Sequence, residues 1–222
     1  MSKIDFPPHL MSILFFSLFS PVVLAKVSSC ERLNSITITS QQSSQIIMVK
    51  ILDKIHAEIS LCKRLRKRWV QELKPSFKAV IGKNGLAAEN KKMEGDLKTP
   101  AGLYPIGEVF GSKPLAVKMD FKYIIAEDKY IDDVHAPNYN QWIRGKTKAR
   151  SYENMLYKFY EYGLVINYNK NPTKAGAGSA IFMHLWKSPS TPTHGCIATD
   201  KKHLLALVNW LDQKQNPYIF IY

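Results

Sequence analysis

The sequence predicts a mainly β domain with one or two short helices. Apolar residues make up 45% of the 222-residue chain, enough for a core and too many for wholesale disorder. Short β-branched and aromatic runs recur between Gly-, Pro- and Asn-containing turns, without the regular alternation of strand and helix that marks βαβ units. One amphipathic segment near the C-terminus has helical spacing. No internal repeat and no interior linker interrupts the chain. One domain over 45–222 is therefore expected, behind a leader over 1–25 and a polar segment over 26–44.

The elements follow in order. Leu10 to Ala25 is an apolar stretch, too short to span a bilayer comfortably, since that takes about 20 residues. It closes with Val23-Leu24-Ala25, with small residues at the positions where a signal peptidase wants them. The stretch reads as a signal peptide cleaved near Ala25–Lys26; with Lys3 offset by Asp5, an uncleaved anchor is the rival. A Ser-, Thr- and Gln-rich stretch, Ser28 to Ser44, leads into the fold. Gln45 to Ile51 is a β-branched strand. Asp53 to Glu72 is ambiguous: its apolar positions tolerate a helix, while Ala57 to Cys62 alternates like a strand. The basic run Lys63 to Arg68 reads as a solvated hairpin tip or face, with a polyanion contact as the sharper alternative.

From Phe77 the pattern is strand and turn. Ala79-Val80-Ile81 meets Gly82-Lys83-Asn84-Gly85, a strong turn signal. Glu94 to Gly102 is a loop, and Leu103 to Val109 is a short strand broken by Pro105 and Gly107. Ser151 to Glu161 is expected to be a short helix. Tyr162 to Tyr168 and Ala180 to His184 are buried strands. Thr199 is expected to cap a helix over Asp200 to Asp212, docked through Leu204, Val208 and Leu211. Tyr218 to Tyr222 is the last strand.

Charge and cysteines bear on function. A formal net charge of +13 suits a polyanion: nucleic acid, anionic lipid or an anionic wall polymer. Export argues against nucleic acid and limits any membrane contact to the leader. It also permits a disulfide among the three cysteines. Cys30 and Cys62 could pair and leave Cys196 free; alternatively Cys62 is simply buried and Cys30 unpaired.

The most informative segment runs from His184 to Cys196 and ends Thr193-His194-Gly195-Cys196. A thiol is a strong nucleophile only as thiolate, so it needs a base or a positive environment nearby. A histidine ending one strand and a cysteine ending the next loop can meet that need. Gly195 lets the backbone approach a substrate closely.

These residues resemble the L,D-transpeptidase catalytic domain of the YkuD type. That signature is a histidine, a loop, then Ser/Thr-His-Gly-Cys. Eight residues separate His184 from Thr193, and Ile197-Ala198 follows the cysteine, as in a divergent branch with a short loop. Ile81 to Leu86, Glu94 to Gly102, Asp132-Asp133, Tyr139 to Trp142 and Gly176 to Phe182 are similar to that branch too. The resemblance spans about Gln45 to Tyr222 and implies a β-sandwich and an exported enzyme, secreted or periplasmic, acting on peptidoglycan stem peptides. It implies Cys196 as nucleophile and His184 as base, oriented by the Leu185 carbonyl. Gly195 and Cys196 N–H groups, with His194, would form an oxyanion hole, Thr193 would support the loop, and the helix near Asp200 would add positive potential. The acceptor is left open between a second stem, a lipoprotein, a D-amino acid and water, as is the oligomeric state.

Other chemistries fit less well. His184, His194, Cys196 and His203 have no standard zinc spacing, so neither metal nor organic cofactor is expected. Asp133, with Asp132, could receive a substrate amine or serve a turn, and Trp142 could line a groove or pack in the core.

Overall fold

The computed structural model describes residue 1, residues 29–34 and residues 43–222. The expected signal peptide, and most of the polar segment that follows it, lie outside the described residues. Among the described residues no helix is long and apolar enough to cross a membrane.

Fourteen strands and one α-helix make up the described fold: β1 (Gln45–Ile51), β2 (His56–Leu65), β3 (Arg68–Val80), β4 (Leu86–Ala87), β5 (Thr99–Pro100), β6 (Gly102–Gly111), β7 (Phe121–Tyr123), β8 (Asp128–Ile131), β9 (Trp142–Arg144), β10 (Tyr152–Asn154), β11 (Tyr162–Ile166), β12 (Phe182–Leu185), β13 (Ile197–Thr199), α1 (Lys201–Trp210) and β14 (Tyr218–Ile221). The mainly β expectation holds. The largest sheet has nine strands in the order β11-β12-β13-β3-β2-β1-β14-β6-β7, and β6 also pairs with β11. The first half of β6 binds β14, with Tyr104 opposite Ile219, and its second half binds β11, with Val109 opposite Leu164. The sheet thereby folds back on itself into two layers, the architecture of a β-sandwich.

The ambiguous segment is strand from His56 onward, apart from a turn at Arg66-Lys67. β2 and β3 form a long antiparallel hairpin with Arg66-Lys67 at its tip, which puts the basic run on the exposed turn as read from its charge. Helical apolar spacing loses here because β1 supplies a template on the other side, from Gln45 opposite Lys63 to Ile51 opposite Ala57. Between the layers lies an apolar core that includes Ile47, Ile59, Leu61, Leu164, Met183 and Ile197, all fully buried. Each such side chain contributes about 1.5–3 kcal/mol. α1 closes one face through Leu204, Leu207 and Val208. On the outer face of β1 and β2, Cys30 and Cys62 form a disulfide packed on Trp69 and Ile46.

Two local expectations are corrected. Ser151 to Glu161 is not an α-helix. Tyr152–Asn154 is a strand on β8, with Tyr152 opposite Ile131, and only Lys158–Tyr160 makes a single 3₁₀ turn. The edge of β8 offers that backbone a ladder, and the Asn154 side chain accepts from the Leu156 N–H to start a turn instead. The helix cap is Asp200 rather than Thr199. The Asp200 carboxylate accepts from the His203 N–H at 3.0 Å, whereas Thr199 is still in β13 and its hydroxyl donates to the Lys78 carbonyl at 2.7 Å.

Candidate active site

β12 and β13 run parallel, with Met183 opposite Ile197 and His184 opposite Ala198. His184 therefore emerges near the end of one strand and Cys196 immediately before the other. Both are buried, and both line one cavity of about 550 Å³. Thr193, His194 and Gly195 line it as well, so the structure gathers the whole Thr-His-Gly-Cys segment with the upstream histidine.

The imidazole is held at one end. His184 Nδ1 lies 2.8 Å from the Leu185 carbonyl oxygen, which makes Nδ1 the protonated nitrogen and leaves Nε2 with a lone pair. Among the described residues Nε2 has no hydrogen-bond partner. Burial pushes the His184 pKa down to about 4, against the smaller opposing effect of the Leu185 carbonyl, so the ring is neutral near pH 7.

The thiol is neutral too. Cys196 Sγ donates to the Ala180 carbonyl at 3.3 Å and accepts from the Phe182 N–H at 3.4 Å. Burial raises its pKa first, and the Glu153 carboxylate raises it further; the Phe182 N–H and Lys92 oppose them. The helix lends little help here, because the Asp200 carboxylate already caps its N-terminus. At rest the site thus holds a neutral thiol and a neutral imidazole.

The segment before the cysteine is cross-braced. Thr193 Oγ1 donates to the Cys196 carbonyl at 2.6 Å and accepts from the Gly195 N–H at 3.2 Å. That second bond changes the oxyanion expectation: the Gly195 N–H is spent inside the loop. The Cys196 N–H has no partner among the described residues, and the exposed His194 adjoins it. Gly195 sits at φ 145°, and a Cβ there would lie 3.0 Å from the Lys98 carbonyl oxygen. Only glycine fits that approach.

The Glu94 to Gly102 segment is a bracket under this loop. Thr99 Oγ1 donates to the Gly195 carbonyl at 2.8 Å and accepts from the Gly82 N–H at 2.9 Å. Lys92, almost wholly buried, pairs with Asp96 at 2.6 Å. Glu94 accepts from Ser179 at 2.7 Å and from the Tyr139 hydroxyl, which ties the bracket to the Gly176 to Ala180 turn. Asn140 Oδ1 accepts from the Ala180 N–H at 3.2 Å, and so steadies the residue whose carbonyl accepts from the thiol.

Some expected residues lie elsewhere. Asp133 is not part of the cavity wall: its carboxylate accepts from the His135 and Arg150 N–H groups, which hold its pKa low and make it a turn residue. Trp142 is also outside the wall, donating to Asp128 at 3.0 Å with Lys122 over its ring. His203 is stacked on Phe77 and paired with Asp200. In their place the cavity takes Asp132, Glu94 and Glu153, with Tyr157 and Tyr160. Glu153 carries no sequence signal, since it is one carboxylate among many in the chain; only the pairing of β10 with β8 brings it inward.

No curated protein matches the chain. The family model for the L,D-transpeptidase catalytic domain, YkuD, matches residues 62–219, which contain both β12 and β13 and the whole cysteine loop. With that match over more than half of its length, the chain belongs to the L,D-transpeptidase catalytic-domain family.

Proposed function

We propose that the protein is an exported cysteine L,D-transpeptidase that acts on peptidoglycan stem peptides through a thioester on Cys196. The observation that carries this reading is the shared cavity: the one free thiol among the described residues and an imidazole with an unengaged Nε2 both face it. His184 Nε2 takes the Cys196 proton, and the thiolate attacks the carbonyl of an L-to-D peptide bond. The Cys196 N–H and His194 stabilise the oxyanion. As the C–N bond breaks, the imidazolium protonates the leaving amine, so D-alanine departs and a thioester remains. A second stem's amine then displaces the thiol to form a cross-link; water in its place gives a carboxypeptidase.

Export is supported by the Cys30–Cys62 bridge, which suits an oxidising compartment. A net charge of +13 suits an anionic wall. The test is incubation with tetrapeptide muropeptides. Release of D-alanine by the wild type and not by Cys196→Ala is expected, and equal release by both overturns the nucleophile assignment. Cross-linked dimers among the products separate the transpeptidase from a hydrolase. A thiol inert to every acylating probe would instead indicate a wall-binding protein without catalysis.

A further inference from the structure

We propose that Tyr160, tethered by Glu153, is a positioning residue for the His184 imidazole. The inference rests on the reading of His184 as the base, and adds what holds its ring in place.

One hydrogen bond to Leu185 fixes a single point of the imidazole and leaves the ring free to pivot about it. The Tyr160 ring meets the imidazole edge to face, with centroids 5.1 Å apart and planes at 72°. Tyr160 is itself locked. Phe110 and Phe182 pack edge-on against it at 5.9 and 5.7 Å, and its hydroxyl donates to the Glu153 carboxylate. The tether crosses between elements: Tyr160 is on the 3₁₀ turn before β11, Glu153 on β10 and His184 on β12. Tyr160, Glu153 and His184 all reach the cavity wall. Two contacts from different directions thus define where Nε2 points, which matters because a misplacement of about 1 Å can cost about a hundredfold in rate.

The carboxylate has a second effect. Glu153 faces Tyr160, Asp132 and Glu94, and burial raises its pKa to about 7. Its charge also raises the Cys196 pKa, which Lys92 opposes. A substitution at Glu153 can therefore alter the tether, the charge or both, and two variants separate them. Glu153→Gln keeps an acceptor for the Tyr160 hydroxyl and removes the charge. Glu153→Ala removes both.

The experiment measures kcat and KM for D-alanine release, and the pH dependence of Cys196 alkylation by iodoacetamide from intact mass, on the full chain. Tyr160→Leu is expected to lower kcat about tenfold or more with KM within about twofold, and Tyr160→Phe to recover most of that loss. Glu153→Ala should lose several-fold in kcat. Glu153→Gln should keep most of it while its alkylation profile moves to lower pH. If Tyr160→Leu is shown by its melting curve to be unfolded, the two Glu153 variants decide. Wild-type kcat in Glu153→Ala overturns the proposal, as does equal damage in Glu153→Gln, which would make the charge and not the tether the active feature. The His184→Ala control distinguishes the underlying reading: if that variant retains wild-type kcat, the base assignment fails and the positioning proposal falls with it.

Discussion

The Cys196 thiol donates its hydrogen bond to the Ala180 carbonyl, 3.3 Å away, and not to His184. The proposed nucleophile is thus held as a neutral thiol on a backbone acceptor, in the same cavity as an imidazole that is also neutral. Reactivity at rest should be low. The rate of iodoacetamide alkylation of Cys196 should still be rising above pH 9, beyond the pKa of about 8.5 of a free cysteine. Intact-mass time courses across pH would show it, and a plateau reached below pH 7 would mean a stored thiolate instead.

Thr193 and Gly195 hold the cysteine loop by different means, so their variants should fail differently. Thr193→Val removes both loop hydrogen bonds. It should cost about 1–3 kcal/mol of stability and markedly slow acylation by a carbapenem, while Thr193→Ser keeps the hydroxyl and most of the rate. Gly195→Ala puts a Cβ against the Lys98 carbonyl at a φ that L-residues avoid, and should abolish acylation. Acylation read by mass, beside melting curves, checks both.

The Cys30–Cys62 bridge closes a loop over a sequence separation of 32 residues. Its removal in a Cys30→Ser/Cys62→Ser double variant should cost about 2–5 kcal/mol in denaturant unfolding. Cys196 chemistry should survive, since the bridge packs with Trp69 and Ile46 in a cluster separate from the one that contains Cys196. Loss of the stability difference under a strong reductant would complete the check.

Two buried groups should give opposite pH slopes. The folded His184 pKa is depressed from 6.5 to about 4, so between those values the unfolded chain binds more protons and stability rises with pH. The folded Glu153 pKa is raised from 4.5 to about 7, so the unfolded chain binds fewer protons and stability falls with pH across that window. Each amounts to roughly 3–4 kcal/mol, and between pH 4.5 and 6.5 they nearly cancel in the wild type. Glu153→Gln should expose the rising slope and His184→Gln the falling one. Melting temperatures at several pH values would read both, and parallel curves for the two variants would contradict the assignment.

Much of the fold was legible in the sequence. β1, β11, β12 and β14 are short β-branched or apolar runs between turn residues, and such runs have few other solutions. The helix α1 declared itself by spacing, while its cap fell on Asp200, one residue after the expected Thr199. Ser151 to Glu161 misled because its pairing partner, β8, lies some twenty residues upstream, and local propensity cannot register a distant edge.

The site divides in the same way. Cys196, His184 and Thr193-His194-Gly195 were readable because a thiol, an imidazole and a close-approach glycine occupy one short stretch, a pattern in which the proposed chemistry constrains residue type. By itself the sequence determined the family and the β class, and it singled out Cys196 and His184 as the candidate pair. Only the tertiary structure decided that the thiol and the imidazole rest neutral, that the Gly195 N–H is spent on Thr193, that Trp142 and Asp133 lie outside the cavity wall, and that Tyr160, bound to Glu153, packs against the imidazole. The physical reason is that burial and hydrogen-bond partners set protonation and orientation, and both are supplied by strands far apart in the chain.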